Sequence, residues 1–241
     1  MCTVTFLPRQ NGDFIFTTNR DEDPARDTEF PNVYKEDGVN LLYPKDKKAG
    51  GTWIAVSEHE RLVCLLNGAY EKHESTGNYK HSRGLIVKEA LKAENIKWYL
   101  EDVDLEGIEP FTLVALDWSF LTICLEVIWD GKQKHIRVLS HQPKIWSSST
   151  LYTKDMHKDR KEWFSELLKT EEDPGFDSVI KFHLNESFGT PDTSIKMKRP
   201  GVETVSVTSI VKNDFGVVMF YKDIATGEEK VVDLFAVCKE M

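Results

Sequence analysis

The chain has 241 residues, 40% of them hydrophobic and 29% charged, with a formal net charge of −9. Those totals describe a globular protein long enough to bury a substantial core. The acidic balance argues against nonspecific binding to nucleic acid or to an anionic membrane. Length alone allows one large domain or two small ones.

The first segments read as strand, turn, strand: Thr3–Leu7, then Asn11-Gly12, then Phe14–Thr18, followed by Asn19-Arg20-Asp21-Glu22. Asn-Gly between apolar runs is the strongest short hairpin signal. A two-residue turn would set Cys2 opposite Asp21, and a one-residue change in loop length would set it opposite Arg20. From Asp23-Pro24 to about Lys48 the chain is charged and reads as irregular, with a short strand over Val39–Tyr43.

Gly50-Gly51 leads into a strand over Thr52–Ser57, which a polar turn joins to a second strand over Arg61–Asn67. Residues 70–81 form a loop. Ser82 caps a helix with Leu85, Ile86, Ala90 and Leu91 on one side, and further helical turns follow at Ile96–Leu100. Strands are predicted over Phe111–Trp118, Phe120–Trp129 and Lys134–Ser140, and a loop over 141–153. Helices follow over Asp155–Lys169, with Trp163, Phe164, Leu167 and Leu168 as the buried stripe, and over Asp177–Glu186. Three strands close the chain: Glu203–Val211, Val217–Lys222 and Lys230–Val237. Strands and helices segregate, which predicts an α+β fold: a four-layer α-β-β-α sandwich of two antiparallel sheets covered by helices, in a single domain spanning 1–241.

The cysteines sit at 2, 64, 124 and 238 without a C-x-x-C pair, so neither a zinc site nor a disulfide framework is expected. Cys64, Cys124 and Cys238 read as small buried hydrophobes. The opening lacks the pattern of a signal peptide, and no apolar run approaches membrane-spanning length, which predicts a cytoplasmic protein with reduced thiols. No phosphate loop, zinc helix or serine elbow is present.

Cys2 stands apart. Removal of Met1 would make it the terminal residue, holding both a sulfur nucleophile and an α-amine whose ordinary pKa of about 7.7–8.0 suits a general base. Arg20 can hold a thiolate or a bound carboxylate, Asp21 can orient the α-ammonium, and Asn67 carries the amide donor of an oxyanion hole. A retained Met1 would leave Cys2 without that amine.

Met1-Cys2, Thr18-Asn19-Arg20-Asp21-Glu22, Gly50-Gly51-Thr52-Trp53, Leu66-Asn67 and Ser82-Arg83-Gly84 together resemble the NRDE family, also called the transport and Golgi organisation protein 2 family. The resemblance extends to Trp146–Trp163 and Thr204–Ile210. It implies an N-terminal-nucleophile hydrolase fold and kinship with penicillin V acylases and bile salt hydrolases, which cleave linear amides with a terminal cysteine. Cys2, Arg20, Asp21 and Asn67 match that catalytic set, and Asn19 belongs to the motif. Ser148 and Ser149 fall where a second oxyanion asparagine is often seen. Asn19, Trp53, Ser148 and Ser149 are the candidate substrate-binding residues. No resident cofactor or metal is expected, and the expected partner is a small-molecule substrate or ligand.

The resemblance also supports an alternative: a haem or small-ligand trafficking protein on the same fold. Seven histidines offer axial ligands without forming an attachment motif. His59, His73, His81, His141 and His157 read as surface residues in this scheme.

Overall fold

The computed structural model describes residues 3–75, 77 and 79–236; Cys2 and Cys238 lie outside them. In chain order the strands are β1 (Thr3–Pro8), β2 (Phe14–Glu22), β3 (Thr28–Glu36), β4 (Val39–Asp46), β5 (Ile54–Ser57), β6 (Arg61–Asn67), β7 (Phe111–Asp117), β8 (Ile123–Trp129), β9 (Lys134–Leu139), β10 (Lys144–Ser147), β11 (Lys198–Arg199), β12 (Val202–Asn213), β13 (Gly216–Asp223) and β14 (Glu229–Asp233). The helices are α1 (Arg83–Lys92), α2 (Ile96–Asp102), α3 (Lys154–Thr170) and α4 (Phe176–His183). They form two seven-stranded sheets, and every pair of described register is antiparallel.

The chain divides into two compact units, residues 1–26 with 142–231, and 27–141 with 232–241. In the first, the strand order β10-β1-β2-β12-β13-β14 places β1 and β2 inside the sheet, with β11 paired to β12. Helices α3 and α4 cover one face through a core of Leu7, Ile15, Ile145, Phe164, Val179, Phe182 and Ile195. In the second unit, β3 to β9 lie side by side in sequence order as a meander. Helices α1 and α2 pack on it through Ile86, Val87, Ala90, Leu91, Ile96 and Leu100 against Leu41, Tyr43, Ala55, Val63 and Leu65. Val87 joins this core, whereas Leu85 is half-buried. Cys64 and Cys124 are buried among apolar neighbours, as expected.

Three details depart from expectation. In the opening hairpin, Val4 pairs with Thr18, Phe6 with Phe16 and Pro8 with Phe14. The partners sum to 22, which is the register of the longer loop. Asn11 (φ 60°) and Gly12 (φ 75°) are both left-handed, and the Arg9 amide closes the loop by donating to the Asp13 carbonyl at 2.7 Å. Asn-Gly located the turn but left its length open.

The stretch expected to be irregular contains β3, joined to β4 by Asp37 (φ 51°) and Gly38 (φ 88°). Two left-handed central residues make the primed turn that matches strand twist. β3 is a sheet edge with Pro31 inside an irregular register, so its apolar alternation is faint. The third departure is β10, a four-residue edge strand on β1 within the expected loop.

Candidate functional site

The site takes shape at the end of β2. Successive strand residues point to opposite faces, so Ile15, Thr17, Asn19 and Asp21 share the face covered by α3 and α4, while Phe14, Phe16, Thr18 and Arg20 share the other. Ile15 confirms the assignment through its place in the helix-covered core.

Asp21 is fully buried. The Tyr152 hydroxyl donates to its Oδ2 at 2.5 Å, and the Thr204 hydroxyl donates to its Oδ1 at 2.7 Å. Thr204 Oγ1 in turn accepts from the Met197 amide at 3.0 Å, which fixes the direction of its own proton toward Asp21. Thr204 is the cross-strand partner of Asp21, and the register slips between Thr204 and Ser206, so Val205 is an extra residue beside the carboxylate. Such bulges re-aim side chains. Tyr152 comes from a tight turn: Ser148 accepts at its carbonyl from the amides of Leu151 (3.3 Å) and Tyr152 (3.1 Å). Thr153 then caps α3.

Burial pushes the Asp21 carboxyl above its ordinary range, opposed by the hydrogen bonds from Tyr152 and Thr204 and by the Arg160 charge. Burial likewise pushes the Tyr152 phenol well above its ordinary value, helped by the negative charge on Asp21. Tyr152 therefore stays a neutral donor. A carboxylate has about four lone-pair directions, and among the described residues these two hydroxyls take two, leaving capacity for another donor.

Asn19, two residues earlier on the same face, is built differently. Its Nδ2 donates to the carbonyls of His183 (2.9 Å) and Ile195 (3.0 Å). Its Oδ1 faces His183 Nδ1, and His183 Nε2 lies 2.7 Å from Thr5 Oγ1. Because both Asn19 amide protons go to carbonyls, Oδ1 must accept, so Nδ1 carries the imidazole proton and Thr5 donates to Nε2. Asn19 and His183 have no solvent exposure. Burial holds His183 down to about 3, so it is neutral. Neither of its nitrogens is left for a haem iron. Among the described residues, no group of three or more His, Cys, Asp or Glu side chains is placed to hold a metal ion.

Arg20 is 3% exposed, and its Nη1 donates to the Arg26 carbonyl at 3.1 Å. Ser148 is buried with Oγ 3.0 Å from Thr150 Oγ1, and Ser149 is half-buried. Four candidates thus belong to one unit: Asn19, Arg20, Asp21 and Ser148, with Ser149 next along the chain. Cys2 lies outside the described residues.

Asn67 and Trp53 belong to the other unit. Asn67 ends β6 opposite Phe111, and Gly68 (φ 85°) turns the chain, its amide donating to the Pro110 carbonyl at 3.0 Å. Arg83 donates to the same carbonyl at 3.0 Å and pairs with Glu109 at 2.9 Å. Trp53 is buried at the start of β5, where its carbonyl accepts from Leu65. The glycine-rich motif around it has a packing cause. A Cβ on Gly84 would lie 2.9 Å from the backbone N and O of Thr52, so α1 approaches the Gly51-Thr52 backbone closely enough to exclude any side chain.

Sequence reading did not find Tyr152, Arg160, Thr204 or His183 as site residues. Arg160 carried a signal: it stands one helical turn before Phe164, on the apolar stripe of α3, where a charge is out of place. His157 also departs from a surface position, since burial and then the charges of Arg160 and Lys161 lower its pKa.

This is the fold of N-terminal-nucleophile hydrolases. A variant of conjugated bile acid hydrolase from Clostridium perfringens matches with a TM-score of 0.61 at 11% identity, over 98% of this chain and 93% of that one. Penicillin V acylase from Agrobacterium tumefaciens matches with 0.61 at 12% identity, over 97% and 86%. The Caenorhabditis elegans ortholog of N-acylethanolamine-hydrolyzing acid amidase matches with 0.60 at 13% identity, over 87% and 92%. No curated protein matches the chain. The chain belongs to the Transport and Golgi organisation 2 family, whose model matches residues 1–216. Among the described residues no helix is long and apolar enough to cross a membrane.

Proposed function

We propose that the protein is an N-terminal cysteine amidohydrolase that cleaves a linear, non-peptide C–N bond of a small substrate. The observation that carries this reading is Asp21: a fully buried carboxyl group at the end of β2, gripped by two hydroxyl donors that, among the described residues, leave acceptor capacity over. A buried carboxyl group whose acceptor capacity the described donors do not fill, at a motif position, suits the orientation of an α-ammonium.

In this mechanism Met1 is removed and Cys2 Sγ bonds to the substrate carbonyl carbon. The α-amine takes the thiol proton and delivers it to the departing nitrogen. Water then cleaves the thioester, releasing a carboxylic acid and restoring the thiol. Arg20 steadies the thiolate or a substrate carboxylate, and Asn67 keeps the oxyanion role that the family resemblance gives it. Trp53, Ser148 and Ser149 contribute to substrate binding. Asn19 serves instead as framework, because both its amide protons are taken by main-chain carbonyls.

The test is intact-mass measurement of protein from its native host together with turnover of a panel of N-acyl amides. Loss of Met1, and loss of hydrolysis both in Cys2→Ala and after iodoacetamide labelling of Cys2, are expected. Turnover by protein that retains Met1, or unchanged turnover in Cys2→Ala, overturns the reading.

A further inference from the structure

Arg160 is the least expected buried residue of the first unit. It has no solvent exposure, and its Nη2 donates to the Ser194 carbonyl at 2.6 Å. Its Nε and Nη1 are buried without a hydrogen-bond partner among the described residues. Its guanidinium carbon lies 3.5 Å from the centroid of the Tyr152 ring. A second guanidinium, on Arg199, lies 5.4 Å from the same centroid and is held by the carbonyls of Leu151 and Asp192, both at 2.8 Å. A buried cation whose hydrogen bonds are incomplete is costly unless an anion compensates it. The anion reached through this cluster is Asp21, at the far end of the Tyr152 side chain.

The other charged groups nearby are already engaged or belong to a neighbouring surface. Glu22, next along β2, pairs with Arg26 at 3.4 Å. Glu203, on β12 beside Thr204, pairs with Lys198 at 3.1 Å. On α3, Asp159 acts on Arg160 from the adjacent position, and the His157 imidazole is pushed toward its neutral form. Among the described residues, the side-chain charge that acts on Asp21 is that of Arg160.

We propose that Tyr152 and Arg160 are positioning residues for Asp21: Arg160, packed over the phenol ring, fixes the ring and brings a buried positive charge that favours the ionised form of the carboxyl group. A cation over an aromatic face is held by the ring's electron density, and it draws charge from the phenol, which makes the hydroxyl a stronger donor. The hydroxyl then delivers that bias to Oδ2 while Thr204 holds Oδ1. An ionised, oriented carboxylate is what the α-ammonium of the proposed mechanism needs, so the catalytic value of this pair rests on the amidohydrolase reading, whereas its effect on Asp21 does not.

The test titrates Asp21 directly. In protein labelled with 13C at aspartate side-chain carboxyls, the Asp21 signal is assigned as the one missing from Asp21→Asn. Tyr152→Phe keeps the ring and removes only the donor. Its Asp21 pKa is expected to rise by roughly one unit or more. Arg160→Met is expected to raise it at least as far, and Arg160→Lys by less, since it keeps the charge but not the guanidinium over the ring. Circular dichroism melting establishes that each variant is folded. If Arg160→Met does not fold, Tyr152→Phe and Arg160→Lys decide. An Asp21 titration unchanged in folded Tyr152→Phe, or in folded Arg160→Lys together with any folded Arg160→Met, overturns the proposal. A titration that shifts as expected while Cys2→Ala retains full turnover leaves the positioning pair standing and removes the amidohydrolase reading.

Discussion

Asn19 and Asp21 stand two residues apart on one face of one strand, both fully buried, yet their surroundings are opposite in kind. Asn19 sits in a neutral network with Thr5 and His183 in which each amide proton has a carbonyl partner. Asp21 accepts two hydroxyl bonds, one of them from a phenol whose ring lies against the Arg160 guanidinium, and the described donors leave acceptor capacity over. Burial alone therefore does not separate framework from chemistry. The difference lies in saturation: a completed neutral network contributes specificity to the fold, while a charged group with open valences is maintained at a cost.

The sharpest way to break this contrast is to neutralise each member. Asp21→Asn keeps shape and removes charge, so hydrolysis of a responsive N-acyl amide per folded molecule is expected to fall by about 10²–10⁴-fold, and the urea midpoint to fall as well because Arg160 loses its compensating anion. Asn19→Ala is expected to lower stability alone. It strips the donors from two buried carbonyls and the acceptor from His183 Nδ1, costing about 3 kcal/mol of stability. The folded fraction should retain its turnover number. A normal urea midpoint with lost turnover in Asn19→Ala would move Asn19 from framework to substrate contact.

Acid sharpens the contrast more gently. His183 has a folded pKa near 3 against about 6.5 unfolded, so the unfolded chain binds the extra proton. Its contribution is fully present above about pH 6.5 and is lost as pH falls toward 3, with about 2 kcal/mol gone between pH 7 and pH 5. Asp21 works in the other direction: a raised folded pKa favours the folded state in acid and that benefit fades as pH rises past about 4. Urea midpoints of wild type and His183→Gln between pH 5 and 7 measure the histidine component. A wild-type slope no steeper than that of His183→Gln would contradict the neutral, buried assignment.

Much of this arrangement was legible in the sequence, and the illegible parts share a cause. The segregation of strands and helices gave the α+β class, and Arg61–Asn67 was read to the residue because a strand buried on both faces is continuously apolar. Edge strand β3 was missed because it carries Pro and charge in place of alternation, and β10 because four residues are too few to show a period. Asp21 stood out as a motif position, but its partners did not. Tyr152 and Thr204 lie 131 and 183 residues away, and ordinary spacing rules do not reach that far. Arg160 was readable in principle, as a charge on the apolar stripe of α3. His183 was not, since nothing local distinguishes a buried histidine at the end of a short helix from an exposed one.

The smallest expected effects isolate the contrast most cleanly, because each network contains one threonine that donates to its centre. Thr5 donates to His183 Nε2, and Thr204 donates to Asp21 Oδ1. Valine fills nearly the same volume without the hydroxyl, so Thr5→Val leaves one buried acceptor short, Thr204→Val leaves one acceptor and the Met197 amide short, and each costs about 1–3 kcal/mol. Stability alone would not distinguish them. Titration would: Thr204→Val removes a bond to the ionised form and should raise the Asp21 pKa, whereas Thr5→Val, whose hydroxyl meets only a neutral imidazole, should leave Asp21 where it is. Equal Asp21 titrations in the two valine variants, each folded, would mean that the face of β2 carries one continuous polar network rather than two with separate tasks.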